Sequence, residues 1–178
     1  VGPRDGLQGL GKTLSIHERL MMIGALLDSG IRSIEVGSFV SPKAVPQMAG
    51  TGELFGLLSM PDTVAYSALV PNLRGYEQVR EAGVQSVAVV LSATETMNQR
   101  NINMSLDRAT EVCVELIQRA KQDGLQARAY VAVAFECPFE GQTSPSVVER
   151  LIRRMLEVGA DKVIIADTIG AANPLAVR

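Results

Sequence analysis

Short apolar runs alternate with longer amphipathic stretches along the whole chain. The runs are rich in β-branched residues and predict strands, whereas the stretches repeat apolar side chains at helical spacing. Several stretches stop at a glycine, the usual residue after the last turn of a helix. The predicted strands cover residues 32–39, 63–70, 86–93, 127–135 and 161–167. The predicted helices cover residues 13–29, 73–82, 105–123 and 145–158, and a further one starts at Asn173-Pro174.

The order β-α-β-α continues without a linker, and runs such as Val-Ala-Val-Val-Leu at 87–91 are apolar on both faces. Such strands are typical of a parallel sheet with helices on both sides. Two architectures fit, an open doubly wound sheet and a closed eight-stranded barrel. The open sheet would favour a G-x-G-x-x-G turn, but Leu14 follows Gly9 and Gly11 where the third glycine belongs.

The barrel is the preferred interpretation, and the chain would hold part of it. A complete (β/α)8 barrel takes about 250 residues, whereas this chain has 178. We predict one catalytic domain over residues 1–178, running from the end of strand one through strand six to the start of helix six. Val1-Gly2-Pro3 is interpreted as the tail of strand one, and Arg178 as part of a helix that has barely begun.

Composition and charge exclude several classes of partner. The chain is 47% apolar and 20% charged with a net charge of −2, which gives no electrostatic reason to bind nucleic acid or an anionic membrane. No apolar run reaches the roughly 18 residues of a membrane span.

Cys113 is expected in the core and Cys137 after a strand, both as reduced thiols. The only histidine, His17, is expected on the solvated face of a helix, which limits metal chemistry.

Polar residues at the carboxyl ends of barrel strands are the first candidates for chemistry. Arg4 and Asp5 follow strand one, and Asp167 ends strand six. Glu35 lies within strand two, where alternation places it and Gly37 on the interior face. Because a buried carboxylate needs a partner, two interpretations compete. One is a functional site, and the other is a buried ion-pair network in which Arg4 bridges Glu35 and Asp167.

Other polar side chains also have both a structural and a functional interpretation. Ser38 and Ser41 could cap a turn or line a site. Asn101 and Asn103, in a predicted loop, could cap the helix that follows or contact a ligand. Arg128 lies in strand five, on the same face as Tyr130 and Ala132.

Six motifs occur in order along the chain: VGPRDGLQ at 1–8, IEVGSFVSPK at 34–43 followed by VPQM at 45–48, PNLRG at 71–75, NIN at 101–103, CPFEG at 137–141 and DTIG at 167–170. The first and last alone would fit a wider superfamily that includes isopropylmalate synthase and related aldolases. The SFVSPK and VPQM pair is narrower. Together the motifs make the chain similar to the 3-hydroxy-3-methylglutaryl-CoA lyase family.

The resemblance implies a (β/α)8 barrel that performs a metal-assisted retro-Claisen cleavage of 3-hydroxy-3-methylglutaryl-CoA, a reaction of leucine degradation and ketone body metabolism. The metal would be Mg²⁺ or Mn²⁺, which suit oxygen ligands. By the same resemblance Asp5 is a metal ligand and Arg4 stabilises the enolate. Glu35 and Asp167 support the site and its proton transfers. The residues implied in substrate binding or its support are Gln8, Ser38, Asn101, Asn103 and Arg128.

The chain departs from the family's pattern in several places. The family's His-x-His metal motif on strand seven, its later asparagine and its mobile cysteine loop do not occur in this sequence. A chain limited to these residues is therefore expected to lack turnover. Gly9-Leu10 replace the usual Asn-Glu, and residues 164–166 lack a serine common at that point. Both differences leave the exact acyl group open.

Three functions stay open from the sequence. The first is the lyase itself, and the second is a lyase or aldolase acting on another 3-hydroxyacyl-CoA. The third is an inactive barrel remnant that serves as a binding or oligomerisation module. The complete protein is expected to be a homodimer that binds an acyl-CoA. It is expected in the cytoplasm of a bacterium, or in the mitochondrial matrix of a eukaryote.

Overall fold

The computed structural model describes residues 1–177, and Arg178, interpreted above as part of a helix, lies outside them. The chain divides into two compact units, Val1–Ala88 and Val89–Arg178. The boundary falls within the third strand, so each unit contains part of it.

The first unit alternates helices with parallel strands after an opening helical turn. Its elements are a π-helical turn Gly2–Gly6, α1 (Ile16–Asp28), β1 (Ser33–Ser38), a 3-10 turn Pro46–Met48, α2 (Thr51–Leu57), β2 (Ala65–Leu69), α3 (Leu73–Glu81) and the start of β3 (Ser86–Ser92). β1 pairs in parallel with β2, and β2 with the start of β3. The core between sheet and helices includes Ile23, Val36, Leu54, Phe55 and Val79, each no more than 2% exposed.

Helix α1 begins where the sequence supplies a reciprocal cap. The Ser15 hydroxyl accepts a hydrogen bond from the Glu18 amide at 3.2 Å, and the Glu18 carboxylate accepts one from the Ser15 amide at 2.8 Å. This capping box satisfies two amides that lack helical partners. The hydrogen bonds from Ser15 hold the pKa of Glu18 below its usual range.

The second unit continues the pattern and adds a small hairpin. Its elements are the end of β3, α4 (Glu95–Ile102), α5 (Leu106–Gln122), β4 (Gln126–Ala132), the hairpin strands β5 (Glu136–Cys137) and β6 (Gly141–Gln142), α6 (Pro145–Glu157) and β7 (Lys162–Ile165). β4 lies between β3 and β7 and pairs in parallel with β7. The apolar faces of α5 and α6 bury Leu116, Ile117, Leu151 and Met155.

The predicted alternation is confirmed. All nine predicted strands and helices are present, and their ends agree to within three residues. The pairings β1–β2, β2–β3 and β4–β7 are parallel, as the apolar strands indicated. Helices α2 and α4 were not predicted, because both are short and α4 is mostly polar.

Two local predictions are wrong. Val1-Gly2-Pro3 does not continue a strand, because the amides of Arg4 and Asp5 both donate to the Val1 carbonyl and close a helical turn. Pro3 favours this outcome, since it has no amide for a sheet ladder. Asn101 lies inside α4 and not in a loop.

The thiols and the single histidine lie as predicted. Cys113 and Cys137 are buried and free, and His17 is exposed on α1. Burial raises the pKa of the Cys113 thiol to about 12, which makes it unreactive near neutral pH. Along residues 1–177, no helix has the length and apolar character needed to cross a membrane.

The helix predicted to begin at Asn173 is present as one hydrogen-bonded turn. The amide of Val177 donates to the Asn173 carbonyl at 3.3 Å. The Asn173 side chain accepts from the amides of Leu175 and Ala176 at 2.9 and 3.1 Å, which is the pattern of a helix N-cap.

Candidate active site

Arg4, Asp5 and Glu35 form a polar cluster in the first unit. Its centre is an ion pair between Arg4 and Glu35. The Arg4 Nε donates to Glu35 Oε1 at 2.5 Å, and Nη1 donates to Asp5 Oδ1 at 2.6 Å. The Glu35 side chain is 2% exposed and that of Arg4 is 12% exposed, whereas Asp5 is 64% exposed. One guanidinium therefore links a buried carboxylate to a carboxylate in solvent.

The opening turn fixes the position of Arg4. The Val1 carbonyl accepts from both the Arg4 amide, at 3.1 Å, and the Asp5 amide, at 2.8 Å. Pro3 and Leu7 anchor the turn because both side chains are buried. The side chains of Arg4 and Asp5 thus extend from a hydrogen-bonded turn, which is a favourable basis for precise placement.

A β-bulge in β1 changes which side chains share the face of Glu35. Glu35 pairs with Ser67, but the next pairing joins Gly37 to Ala68, so Val36 is an extra residue. In a regular strand, Glu35 and Ser38 would point to opposite faces because they are three positions apart. After the bulge Ser38 pairs with Leu69, two residues beyond Ser67. Ser38 therefore shares the face of Glu35.

The prediction that Gly37 lies on the interior face with Glu35 is wrong for the same reason. A Cβ built on Gly37 would lie 2.6 Å from Thr51 Oγ1 and 2.7 Å from Arg19 Nη2, which belong to the helices. Gly37 therefore faces α1 and α2. The absence of a side chain there permits the close approach of those two groups.

Ser38 and Ser67 carry buried hydroxyls on the face of Glu35. Neither Oγ has a hydrogen-bond partner among the described residues. The interpretation of Ser38 as a turn cap is therefore wrong. A buried hydroxyl without a partner is costly, so a ligand or an ordered water would relieve both groups.

The remaining candidates of this unit are on the surface. Gln8 and Ser41 are exposed, and the Ser41 carbonyl closes a turn by accepting hydrogen bonds from the amides of Ala44 and Val45.

A pocket of about 410 Å³ is lined by parts of the SFVSPK and VPQM motifs together with α2 and α3. Arg4, Asp5 and Glu35 do not line it, so this pocket does not coincide with the polar cluster.

In the second unit, the Asp167 carboxylate accepts hydrogen bonds from the backbone of the loop that follows it. Its Oδ1 accepts from the Ala171 amide at 2.9 Å and its Oδ2 from the Ala172 amide at 3.0 Å. The next residue, Thr168, accepts from the Val133 amide through Oγ1 at 2.7 Å. Of the predicted ion-pair network, the structure shows the Arg4–Glu35 contact, and Asp167 is exposed and bound to backbone amides.

The two asparagines are placed at the end of α4. Asn101 is exposed within the helix, and Asn103 ends it in the left-handed conformation, with φ of 53°. Ser105 caps the following helix by accepting from the Arg108 amide at 3.1 Å. Asn103 thus ends one helix instead of starting the next, and its role in binding stays a prediction.

Arg128 lies on the predicted face of β4. It is half-buried like Tyr130 and Ala132, whereas the alternate residues of the strand are buried. Its partner on β7 is Lys162. Arg128, Tyr130 and Ala132 therefore share one face of β4, as predicted, and the role of Arg128 stays a prediction.

Two buried polar residues were missed by the sequence reasoning. The Asn98 amide accepts from the Ser92 amide and donates to the carbonyls of Ser92 and Thr94 at 2.8–2.9 Å, which ties α4 to the end of β3. Arg19 is 1% exposed within α1. The available signal was position, because Arg19 lies four residues before the buried Ile23 and hence on the same helical face.

Within the polar cluster, Asp5 could serve as one ligand of a metal ion. Asp5 offers an exposed carboxylate, and oxygen ligands suit Mg²⁺ and Mn²⁺. Across residues 1–177, no three His, Cys, Asp or Glu side chains group closely enough to hold an ion. Asp5 can therefore contribute one ligand.

Comparison with known proteins gives consistent results. The HMGL-like family model matches residues 1–178. The chain is 42% identical over 174 residues to a hydroxymethylglutaryl-CoA lyase of Pseudomonas mevalonii, covering 98% of this chain and 58% of that protein. It is 40% identical over 178 residues to a 3-hydroxy-3-isohexenylglutaryl-CoA/hydroxymethylglutaryl-CoA lyase of Pseudomonas aeruginosa, covering 100% and 59%. The chain thus spans less than two thirds of these relatives.

Solved structures agree with the fold. An HMG-CoA lyase of A. baumannii in complex with coenzyme A and 3-methylmalate superposes with a TM-score of 0.93 at 35% identity, over 99% of this chain and 57% of that one. The parallel sheet and the α/β alternation match part of the barrel of these enzymes.

Proposed function

Because this chain belongs to the HMGL-like family, we propose that the complete protein is a carbon–carbon lyase that cleaves 3-hydroxy-3-methylglutaryl-CoA into acetyl-CoA and acetoacetate. The observation that carries this proposal is the Arg4 guanidinium, held by the buried Glu35 and the exposed Asp5. Residues 1–178 are proposed as one part of the catalytic domain. The narrow motifs of β1 and the turn after it favour this lyase over the other functions considered.

The reaction balances without a redox step. The 3-hydroxyl group gives up its proton, the C2–C3 bond breaks, and C3 becomes the ketone carbon of acetoacetate. The electron pair of the broken bond passes to C2 and the thioester carbonyl as an enolate. Protonation of C2 then gives acetyl-CoA.

In this proposal, Arg4 stabilises the enolate. Its Nε and Nη1 are engaged by Glu35 and Asp5, which leaves the Nη2 group to donate to the developing oxyanion. Donors fixed in advance are effective because they need no rearrangement during the reaction. A guanidinium suits this role because it stays charged and presents its donors in a rigid plane.

The other residues support the site in this proposal. Glu35 orients Arg4 and, with Asp167, assists the proton transfers. Ser38, on the same face as Glu35, and Gln8 contact the substrate. Asn101, Asn103 and Arg128 are proposed to support substrate binding.

The proposal extends to the cofactor, the compartment and the assembly. HMGL-like enzymes are metal-dependent, and we propose Mg²⁺ or Mn²⁺ with Asp5 as one ligand. When bound, the metal would supply Lewis-acid stabilisation of substrate oxygens. The family's relatives include proteins named cytoplasmic and mitochondrial, and we propose the cytoplasm if the source is bacterial and the mitochondrial matrix if it is eukaryotic. A homodimer completes the proposal.

The test is a direct assay of the full-length protein with 3-hydroxy-3-methylglutaryl-CoA and either Mg²⁺ or Mn²⁺. We expect acetoacetate and acetyl-CoA in equal amounts, and no product after removal of the metal with a chelator. A panel of other 3-hydroxyacyl-CoAs serves as the comparison. Faster cleavage of another member would replace the proposed substrate, and no cleavage of any member would contradict lyase activity.

A further inference from the structure

Arg19 on α1 is a charged side chain in the core of the first unit. It is 1% exposed, and burial lowers the pKa of its guanidinium. Its Nη1 donates to the Ala49 carbonyl at 2.9 Å, and Nη2 donates to the Val36 carbonyl at 3.3 Å and to Thr51 Oγ1 at 3.4 Å. Among residues 1–177, no carboxylate pairs with Arg19, and its Nε has no acceptor.

This burial is costly and calls for a physical reason. A cation removed from water without an anionic partner destabilises a fold, and an apolar side chain of similar volume would avoid that cost. The three acceptors of Arg19 lie on only two short segments, the bulge of β1 and the turn that begins α2. The hydrogen bonds of Arg19 therefore link the bulge of β1 to the turn that begins α2.

The contact with β1 falls on the extra residue of the bulge. Val36 is the extra residue that β2 does not match, and its carbonyl accepts a hydrogen bond from Arg19 Nη2. The adjacent Gly37 lets Arg19 and Thr51 approach the backbone, because a Cβ there would lie within 2.7 Å of both side chains. The Thr51 hydroxyl donates in turn to the Met48 carbonyl at 2.7 Å.

The bulge decides which side chains accompany Glu35. Without it, Ser38 would face the helices and Gly37 would share the face of Glu35, as strand alternation predicts. We propose that Arg19 is a positioning residue that locks the β1 bulge and thereby places the Ser38 hydroxyl on the face of Glu35, where the acyl-CoA would bind. This inference rests on the proposed function, although the locking of the bulge can be tested without it.

The test compares Arg19→Met, Arg19→Lys and Arg32→Met in the full-length protein. Arg32 is a matched control because it also donates to backbone carbonyls, those of Leu27 and Ile31, but is exposed. Two readouts are needed. Hydrogen exchange of the backbone over residues 36–39 reports on the bulge, and kcat with KM reports on the site.

We expect hydrogen exchange over residues 36–39 to accelerate about tenfold or more in Arg19→Met and to stay unchanged in Arg32→Met. We expect kcat of Arg19→Met to fall about tenfold with KM within about threefold of the parent, since small displacements of positioned groups reduce turnover strongly. Arg19→Lys should recover most of kcat, because an ammonium can still donate to Val36 or Ala49.

A second variant covers the case in which Arg19→Met does not fold. Thr51→Val keeps the volume of the side chain but removes the hydroxyl between Arg19 and Met48, and we expect the same changes at smaller amplitude. Unchanged exchange over residues 36–39 in folded Arg19→Met or Thr51→Val would overturn the inference, as would unchanged kcat in a protein with lyase activity. Absence of lyase activity in the parent would remove the proposed function, and the exchange data would still decide the role of Arg19.

Discussion

Two carboxylates of the alternating pattern are held in different ways: Glu35 lies within β1 of the first unit, and Asp167 lies just after β7 of the second. Glu35 is buried and receives a hydrogen bond from the Arg4 guanidinium. Asp167 is exposed, and two backbone amides donate to its two oxygens. The difference shows that a carboxylate of the alternating pattern can pair with a side-chain cation or accept hydrogen bonds from the backbone of a loop. Burial and the kind of donor distinguish the two.

The largest effect should follow from removing the cation of the buried pair. Arg4→Met takes the guanidinium away from a carboxylate that is 2% exposed, and we expect a loss of about 3 kcal/mol in the free energy of unfolding. Urea unfolding of the full-length protein measures it. The double variant Arg4→Met/Glu35→Gln should recover much of this loss, because it also removes the buried charge. An additive effect of the two changes would mean that the pair is not coupled.

The interpretation of Asp167 as a loop stabiliser predicts a smaller effect. Asp167→Ala removes the acceptor for the amides of Ala171 and Ala172, and the cost should resemble that of losing a helix cap, about 1 kcal/mol. Asp167→Asn retains one acceptor oxygen and should cost less. The matched comparison is with the Arg4 series by the same unfolding measurement. A loss from Asp167→Ala as large as that from Arg4→Met would remove the contrast between the two regions.

The sequence allowed the longer strands and helices of both regions to be predicted from their apolar periodicity, whereas the short helices α2 and α4 were missed. It did not allow the bulge at Val36 to be predicted. The run from Ser33 to Phe39 looks like one uninterrupted strand, and the groups that hold the bulge, Arg19 and Thr51, lie about fifteen residues away on either side. Bulges depend on such tertiary contacts, which periodicity does not reveal.

Within the candidate site, strand alternation predicted some side-chain positions correctly and one wrongly. The burial of Glu35 and the shared face of Arg128, Tyr130 and Ala132 follow from alternation and agree with the structure. The position of Gly37 was inferred by the same rule and is wrong, because one extra residue reverses the parity of everything after it. The roles of Asp5, Gln8 and the asparagines came from resemblance to the family and stay proposals.

The smallest effect concerns a surface pair of the second unit and depends on pH. The hydrogen bonds from Lys121 and from the Ala127 amide hold the pKa of Asp161 below its usual range. A carboxyl with a lowered pKa stabilises the folded state above the pKa of the unfolded chain, and this stability is lost as the pH falls. We expect Asp161→Asn to cost less than about 1 kcal/mol at pH 7, because the pair is exposed to solvent.

The pH dependence provides the check on Asp161. The difference in unfolding free energy between Asp161→Asn and the parent should shrink as the pH falls below about 4, the ordinary range of an aspartate. High salt should also reduce it. A difference that stays constant between pH 7 and pH 3 would show that the ion pair and the amide contact do not stabilise the fold through charge.

The proposed role of Arg4 in stabilising the enolate is tested most directly by the turnover of Arg4→Lys. It is measured in the full-length protein with 3-hydroxy-3-methylglutaryl-CoA. Lysine keeps the positive charge beside Glu35 but lacks the planar donors that would engage Glu35, Asp5 and the enolate together. With circular dichroism confirming the fold, we predict that kcat falls by about 10²-fold or more, as for loss of an oxyanion donor. A folded Arg4→Lys protein with the kcat of the parent would contradict the assignment of Arg4 to the reaction.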